Sequence, residues 1–181
     1  DVIFLISLVR NADCIVKASL AQNLFTRGPV RASNYVCNNS GPELIYDCIE
    51  SVRSHGSLIV FPEGTRSVAG KPIKLQRGAA NIAVRGRLDM TPVLIRVTPP
   101  TLAKGEKWYR VPPRRVFVSI EVLDDIPISN FIGPETSEAV AARRLTGYLT
   151  DFFTRKLRFE DAARRNQEAD HRHALPRGGE A

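Results

Sequence analysis

Two rhythms of apolar and polar positions divide this chain. Leu58-Ile59-Val60-Phe61 is a continuous apolar run of strand length closed by Pro62, whose missing N–H ends a ladder; the pattern predicts a strand buried on both faces. Just before it, Leu44, Ile45, Cys48, Ile49 and Val52 recur at helical spacing between Glu43 and Arg53, with Gly56 as the stop. Upstream, residues 1–10 read as an amphipathic or buried helix with Asn11-Ala12-Asp13 as its exit. Cys14-Ile15-Val16 and Tyr35-Val36-Cys37 are short β-like runs, and Gly28-Pro29 and Asn38-Asn39-Ser40-Gly41-Pro42 mark turns. Downstream, the polar stretch 68–76 leads to a helix from Gly78 to Arg87, whose Ala79, Ala80, Ala83 and Val84 permit close packing on a sheet. Strands follow at Thr91–Val97 and Val116–Leu123, separated by a Pro-, Lys- and Arg-rich stretch at 99–115. A last helix is predicted from Ser137 to Phe159, with Val140, Leu145, Tyr148, Leu149, Phe152 and Leu157 on its apolar side. Strands alternating with helices predict an α/β fold: a mostly parallel central sheet flanked by helices in a single domain. That domain spans 1–160; residues 161–181 are charged, poor in apolar side chains and expected to be a disordered tail.

Composition agrees and narrows the partners. The 181 residues are 43% hydrophobic and 25% charged, which suits one globular domain. A net charge of +7 favours anionic partners: phospholipid head groups, phosphorylated substrates, coenzyme A or nucleic acid. Cys14, Cys37 and Cys48 are widely spaced and include no C-x-x-C, which argues against a disulfide framework or a zinc site and for a reducing compartment. Asn38-Asn39-Ser40 matches a glycosylation sequon, a three-residue pattern too short to carry weight. The opening apolar run ends at Arg10, short of the roughly 20 residues of a membrane span. No basic stretch precedes it as in a secretory signal. The opening reads as mid-phrase, so the expectation is a chain whose beginning is missing.

Glu63-Gly64-Thr65-Arg66-Ser67 follows the predicted central strand, at the edge of an α/β sheet where ligands bind. Arg66 offers a planar fork of donors for phosphate or carboxylate, and Gly64 lets backbone approach a ligand. An isolated E-G-T-R would equally fit an ordinary strand exit with a surface ion pair. The whole run F-P-E-G-T-R-S is more specific. It resembles the third signature block of the glycerolipid acyltransferase family, of the 1-acylglycerol-3-phosphate acyltransferase type. The resemblance covers roughly residues 1–125. Lys17-Ala18-Ser19-Leu20 is similar to the family's Lys-x-x-Leu segment, Gln76-Arg77-Gly78-Ala79-Ala80 to its helix start, and Thr91-Pro92-Val93 to its fourth block. The second block, G-x-x-F-I-x-R, is matched only at Tyr35 and Val36; Ala32 and Asn38 stand where Gly and Arg are expected. The first block, H-x-x-x-x-D, is matched at Asp1, which places its His five residues upstream, outside this chain.

The resemblance implies a glycerol-3-phosphate acyltransferase-like fold. It also implies transfer of a fatty acyl group from acyl-CoA or acyl-carrier protein to the hydroxyl of a lysophospholipid such as 1-acylglycerol-3-phosphate. Asp1 would orient the upstream His, leaving this chain alone inactive. Glu63, Gly64, Thr65 and Arg66 would shape the acceptor site, with Arg66, and Lys17 as a possible second cation, on phosphate. No metal and no cofactor beyond the acyl donor are implied. The expected setting is a membrane surface, on the cytoplasmic face of the inner (plasma) membrane. Lys104, Lys107, Trp108, Tyr109, Arg110, Arg114 and Arg115 combine cations with interfacial aromatics, although a solvated basic loop with its Trp in the core has the same composition. The departures in block two leave a second reading, a non-glycerol or polyene-type acceptor. Charge alone leaves a third, a non-catalytic basic module binding lipid or nucleic acid, but no RNP-like signature supports nucleic acid. No G-x-S-x-G or P-loop is present. Taken without the family, Asp1 is a helix N-cap, Lys17 a solvated charge and His55 a surface histidine at a helix end, and His171 and His173 lie in the tail.

Overall fold

The computed structural model describes residues 2–16, 36–37, 43–64, 72–99, 112 and 114–173. Its elements are α1 (Val2–Leu8), β1 (Ala12–Val16), β2 (Val36–Cys37), α2 (Leu44–His55), β3 (Ser57–Ile59), α3 (Gly78–Gly86), β4 (Val93–Thr98), β5 (Phe117–Val122) and α4 (Glu138–His173), with a 3-10 turn at Ile128–Asn130. None of the described helices is long and apolar enough to cross a membrane.

The parallel half is a three-stranded sheet ordered β2-β1-β3. Ile15 pairs with Val36 on one side of β1, and Cys14 with Ile59 on the other. Period-2 alternation sends Asp13 and Ile15 to one face and Cys14 to the opposite one. On the first face α2 packs its helical stripe: Cys48 and Ile49 join Ile82 of α3, with Ile15, Val36 and Leu58 against them. Gly56, at φ +98°, ends α2 with its N–H on the Val52 carbonyl. β3 is shorter than its apolar run suggested. It spans Ser57–Ile59, its three residues are half-buried rather than buried on both faces, and Phe61 is exposed. The chain turns at Pro62, so the last two apolar residues of the run lie in the exit and not in the ladder.

The other half supplies the antiparallel remainder of the expected mostly parallel arrangement. β4 and β5 form an antiparallel ladder from Val93↔Val122 to Thr98↔Phe117. A parallel pair needs a crossover, usually helical, and the Pro- and Arg-rich stretch between these strands has no helical period to supply one. Beyond β4–β5, Met90 and Ile126 extend the pairing by an isolated bridge. The Asp89 carboxylate accepts the Ile128 N–H at 2.8 Å, fastening the 3-10 turn to the end of α3.

α3 stands between the halves. Ile82 faces the α2 core, whereas Ala80, Ala83 and Val84 pack with Ile126, Ile128 and the α4 residues Ala141, Ala142, Leu145 and Leu149. Its small residues allow the approach: a Cβ on Gly86 would stand 3.1 Å from Ile49 Cγ1 of α2 and 2.8 Å from Leu88 Cδ1. α4 continues to His173, past the predicted end at Phe159. Low hydrophobicity does not preclude helicity. Ala, Glu, Arg and Gln have good helix propensity, and Glu160/Arg164 and Asp161/Arg165 have the acid-before-base spacing that supports a helix.

Candidate active site

All three parallel strands run in one direction, so the chain leaves β1 at Val16, β2 at Cys37 and β3 at Ile59 along one carboxyl edge. The exit from β3 is the best described. The Gly64 N–H reaches the Phe61 carbonyl at 3.3 Å, closing a four-residue turn over Pro62 and Glu63. Gly64 has φ +67°, the left-handed region that glycine adopts without a Cβ clash. A Cβ there would meet Gln76 Cγ at 3.3 Å. The Gln76 N–H in turn donates to the Pro62 carbonyl at 2.7 Å. The turn is thereby tied to the residue that precedes Arg77, the N-cap of α3. Glu63 is half-buried and Gly64 exposed, at a place where β3 ends and α3 presents its unpaired amide groups. A partial positive charge from the helix end and an exposed backbone turn suit an anionic ligand.

Of the residues singled out from the sequence, Glu63 and Gly64 are therefore placed together on this edge. Asp1, Lys17, Thr65 and Arg66 lie outside the described residues, as do Ala32 and Asn38 of the second block and the Lys104–Arg110 stretch.

A second polar cluster, absent from the sequence reading, sits at the opposite, amino edge of the same sheet. Asp13 on β1 is buried, with its side chain 8% exposed. Ser51 Oγ donates to Asp13 Oδ2 at 2.5 Å, and His55 Nδ1 lies 2.8 Å from the same oxygen. Ser51 and His55 are one turn apart on α2, so both reach the strand from one helix face. His55 is, as expected, the last residue of its helix and partly exposed, but it has a buried carboxylate partner. Asp13 was read as part of a helix exit; it is instead the second residue of β1. The trio contains the side chains of a serine hydrolase without its arrangement. The hydroxyl and the imidazole both turn to the carboxylate, so Ser51 Oγ donates to Asp13 and not to the imidazole that a serine nucleophile requires. Its clue in the sequence was a polar residue inside a strand register and a Ser/His pair four apart, which meet only once β1 and α2 are packed. Cys14 and Cys48 are buried, free thiols, each pushed up to about 11 by burial, with Asp47 adding to the effect at Cys48. Neither is a ready nucleophile.

Residues 1–96 match the family model described as Acyltransferase, and the chain belongs to that family. It is 32% identical over 100 residues to a 1-acyl-sn-glycerol-3-phosphate acyltransferase of Cocos nucifera, an alignment covering 52% of this chain and 32% of that protein. The chain thus spans about a third of the length of that curated relative. Among solved structures it resembles PlsC of Thermotoga maritima, a 1-acyl-sn-glycerophosphate (LPA) acyltransferase. The TM-score is 0.54 at 21% identity, over 85% of this chain and 61% of that one. That likeness establishes the α/β acyltransferase fold.

Proposed function

We propose that this chain carries the acceptor-binding part of an O-acyltransferase. It would move a fatty acyl group from acyl-CoA or acyl-carrier protein to the free hydroxyl of a lysophospholipid such as 1-acylglycerol-3-phosphate. The observation that carries this reading is the Phe61–Gly64 turn: the opening of F-P-E-G-T-R-S lies at the carboxyl edge of β3, bonded to the start of α3, in a member of the acyltransferase family.

The chemistry follows from what the reaction requires. As the acceptor oxygen attacks the thioester carbonyl, its proton must leave; a positioned His contributes about 10²–10⁴ in rate. The family pattern puts that base five residues before Asp1. Asp1 holds the imidazole in one tautomer and stabilises the imidazolium. The His then returns the proton to the departing thiolate, so no other co-substrate is consumed. Arg66, two residues beyond the Gly64 turn, grips the acceptor phosphate with its planar fork, and Glu63 and Thr65 shape the wall around it. Asn38 replaces the second cation of the family pattern. Arg77 is exposed, next to the residue whose N–H holds the turn, and with Lys17 is the group available to supply that charge. The enzyme works at the cytoplasmic face of a membrane, where Lys107, Trp108, Tyr109 and Arg110 provide cations and interfacial rings. No metal or organic cofactor is needed for this sequence of steps.

The test uses a chain extended upstream through the His. It compares 1-acylglycerol-3-phosphate with its dephosphorylated analogue, with and without Arg66→Ala. The expected result is a preference for the phosphorylated acceptor that Arg66→Ala reduces by about 10- to 100-fold, the worth of a charge-assisted contact of roughly 1.5–3 kcal/mol. Arg66→Lys is impaired as well, since it keeps the charge but loses the fork. Equal reaction of both acceptors, unchanged by Arg66→Ala, would remove the phosphate role and favour a non-glycerol acceptor, such as a polyene-type lipid.

A further inference from the structure

On the side of the molecule built from β5 and α4 lies a groove of about 360 Å³, within the size range of small-ligand sites. Tyr148, Phe152 and Lys156 recur every four residues on α4 and so line it from one helix face, and Phe131 joins them from the end of the 3-10 turn. The rings form a continuous wall. Phe131 and Tyr148 meet edge to face at 5.4 Å, and Tyr148 and Phe152 stack at 6.1 Å with 23° between their planes. Tyr148 remains 40% exposed. Asp124 and Asp125, from the segment that leaves β5, line the same groove. The Thr91 hydroxyl holds Asp125 in place through Oδ1, at 2.5 Å. Asp124 is exposed and has no ion-pair partner among the described residues. Lys156, the groove's own cation, has its Nζ 3.9 Å from Glu121 on β5, a carboxylate that also pairs with Arg96 at 3.4 Å.

The groove thus opposes in sign the chain that carries it: two carboxylates beside an aromatic wall in a protein of net charge +7. Carboxylates repel an anion, and the negative faces of aromatic rings attract a cation. A purely apolar ligand would leave Asp124 facing it without a partner. We propose that this groove binds a small alkylammonium cation, its methylene or methyl groups on the Tyr148–Phe152 wall and its charge between Asp124 and Asp125. The residues involved lie outside the acceptor edge, so the proposal stands independently of the acyl-transfer reading. The ammonium could belong to a free amine or to a lipid head group, which share this chemistry.

The probe is tetramethylammonium, titrated into the chain while backbone amide resonances of residues 123–131 and 145–156 are followed, with tert-butanol as the neutral control of similar shape. The expected result is a saturable shift of these amides with the cation and none with the alcohol. Asp124→Asn and Tyr148→Leu, which keep size and apolar bulk, should each weaken binding roughly fivefold, and Lys156→Gln, which removes a competing charge, should tighten it. Unfolding midpoints show that the variants fold. Shifts that fail to saturate, that tert-butanol reproduces, or that ignore both Asp124→Asn and Tyr148→Leu would overturn the proposal. Flotation with phosphatidylcholine or phosphatidylglycerol vesicles separates the sources. Binding to phosphatidylcholine that Tyr148→Leu abolishes and tetramethylammonium competes identifies a lipid head group; saturable binding of the free cation alone identifies a soluble amine.

Discussion

The two edges of the parallel sheet hold similar side chains and put them to different use. At the amino edge an acid, a hydroxyl and an imidazole are locked together: Asp13 is buried, and Ser51 and His55 converge on one of its oxygens. At the carboxyl edge the half-buried acid Glu63 sits in a turn closed by the Gly64 N–H on the Phe61 carbonyl and held by the Gln76 N–H on the Pro62 carbonyl. The amino-edge groups use their hydrogen-bonding capacity on one another and fasten α2 to β1. At the carboxyl edge, backbone bonds from Gly64 and Gln76 shape the turn. A cluster of catalytic residue types is thus poor evidence of a site when the groups satisfy each other, and a plain turn at the right sheet edge is better evidence.

Substitutions at the two edges should separate chemistry from stability. The largest effect is expected in the proposed reaction: in the upstream-extended chain, Asp1→Asn should lower turnover by about 10²–10⁴ while the urea midpoint stays put. Asp13→Asn should do the reverse. It leaves two donors facing a weaker, neutral acceptor and should cost about 1–3 kcal/mol in urea unfolding, with turnover of the folded enzyme unchanged. A loss of turnover with no loss of stability would move Asp13 into the reaction and erase the contrast. Gly64→Ala should cost about 1–2 kcal/mol, because φ +67° is strained for an L side chain. Unlike Asp13→Asn, it should also raise the acceptor KM. The smallest effect belongs to the two thiols. Their folded pKa values of about 11 lie above the unfolded value of about 8.5, so the unfolded chain gives up these protons first as pH rises. Their contribution to stability is complete below about pH 8.5 and is lost towards pH 11. Thermal unfolding from pH 8 to 11 should fall less steeply in a Cys14→Ala/Cys48→Ala chain than in the parent.

The parts of this molecule written in local pattern were the legible ones. α2 and α3 show their helical stripes and stops in sequence, and the strand character of Val93–Thr98 and Phe117–Val122 is plain in their apolar residues. The direction in which β4 and β5 pair was not, because direction depends on the connection and not on the strands. Phe61 misled for a related reason: an apolar residue beyond the ladder looks like one inside it. The end of α4 was missed by equating low hydrophobicity with disorder, although propensity and charge spacing favour a helix there. The two edges of the sheet differed in the same way. Glu63 and Gly64 could be singled out because F-P-E-G-T-R-S is contiguous. Asp13, Ser51 and His55 were not, because a contact spanning 38 residues leaves no periodic trace.

Since α3 belongs to both packing groups, its tolerance to substitution should be unusually narrow. Ala80, Ala83 and Val84 face α4 while Ile82 faces α2 on the other side. Enlarging one face therefore cannot be relieved by shifting the helix toward the other. In a randomised library selected for folded chains, Ala80, Ala83 and Gly86 should accept only the smallest residues. Exposed Arg85, on the same helix, should vary freely. A helix of nine residues would then divide into positions that admit almost nothing and positions that admit almost anything, with its N-terminal end fixed by the turn that holds Gly64.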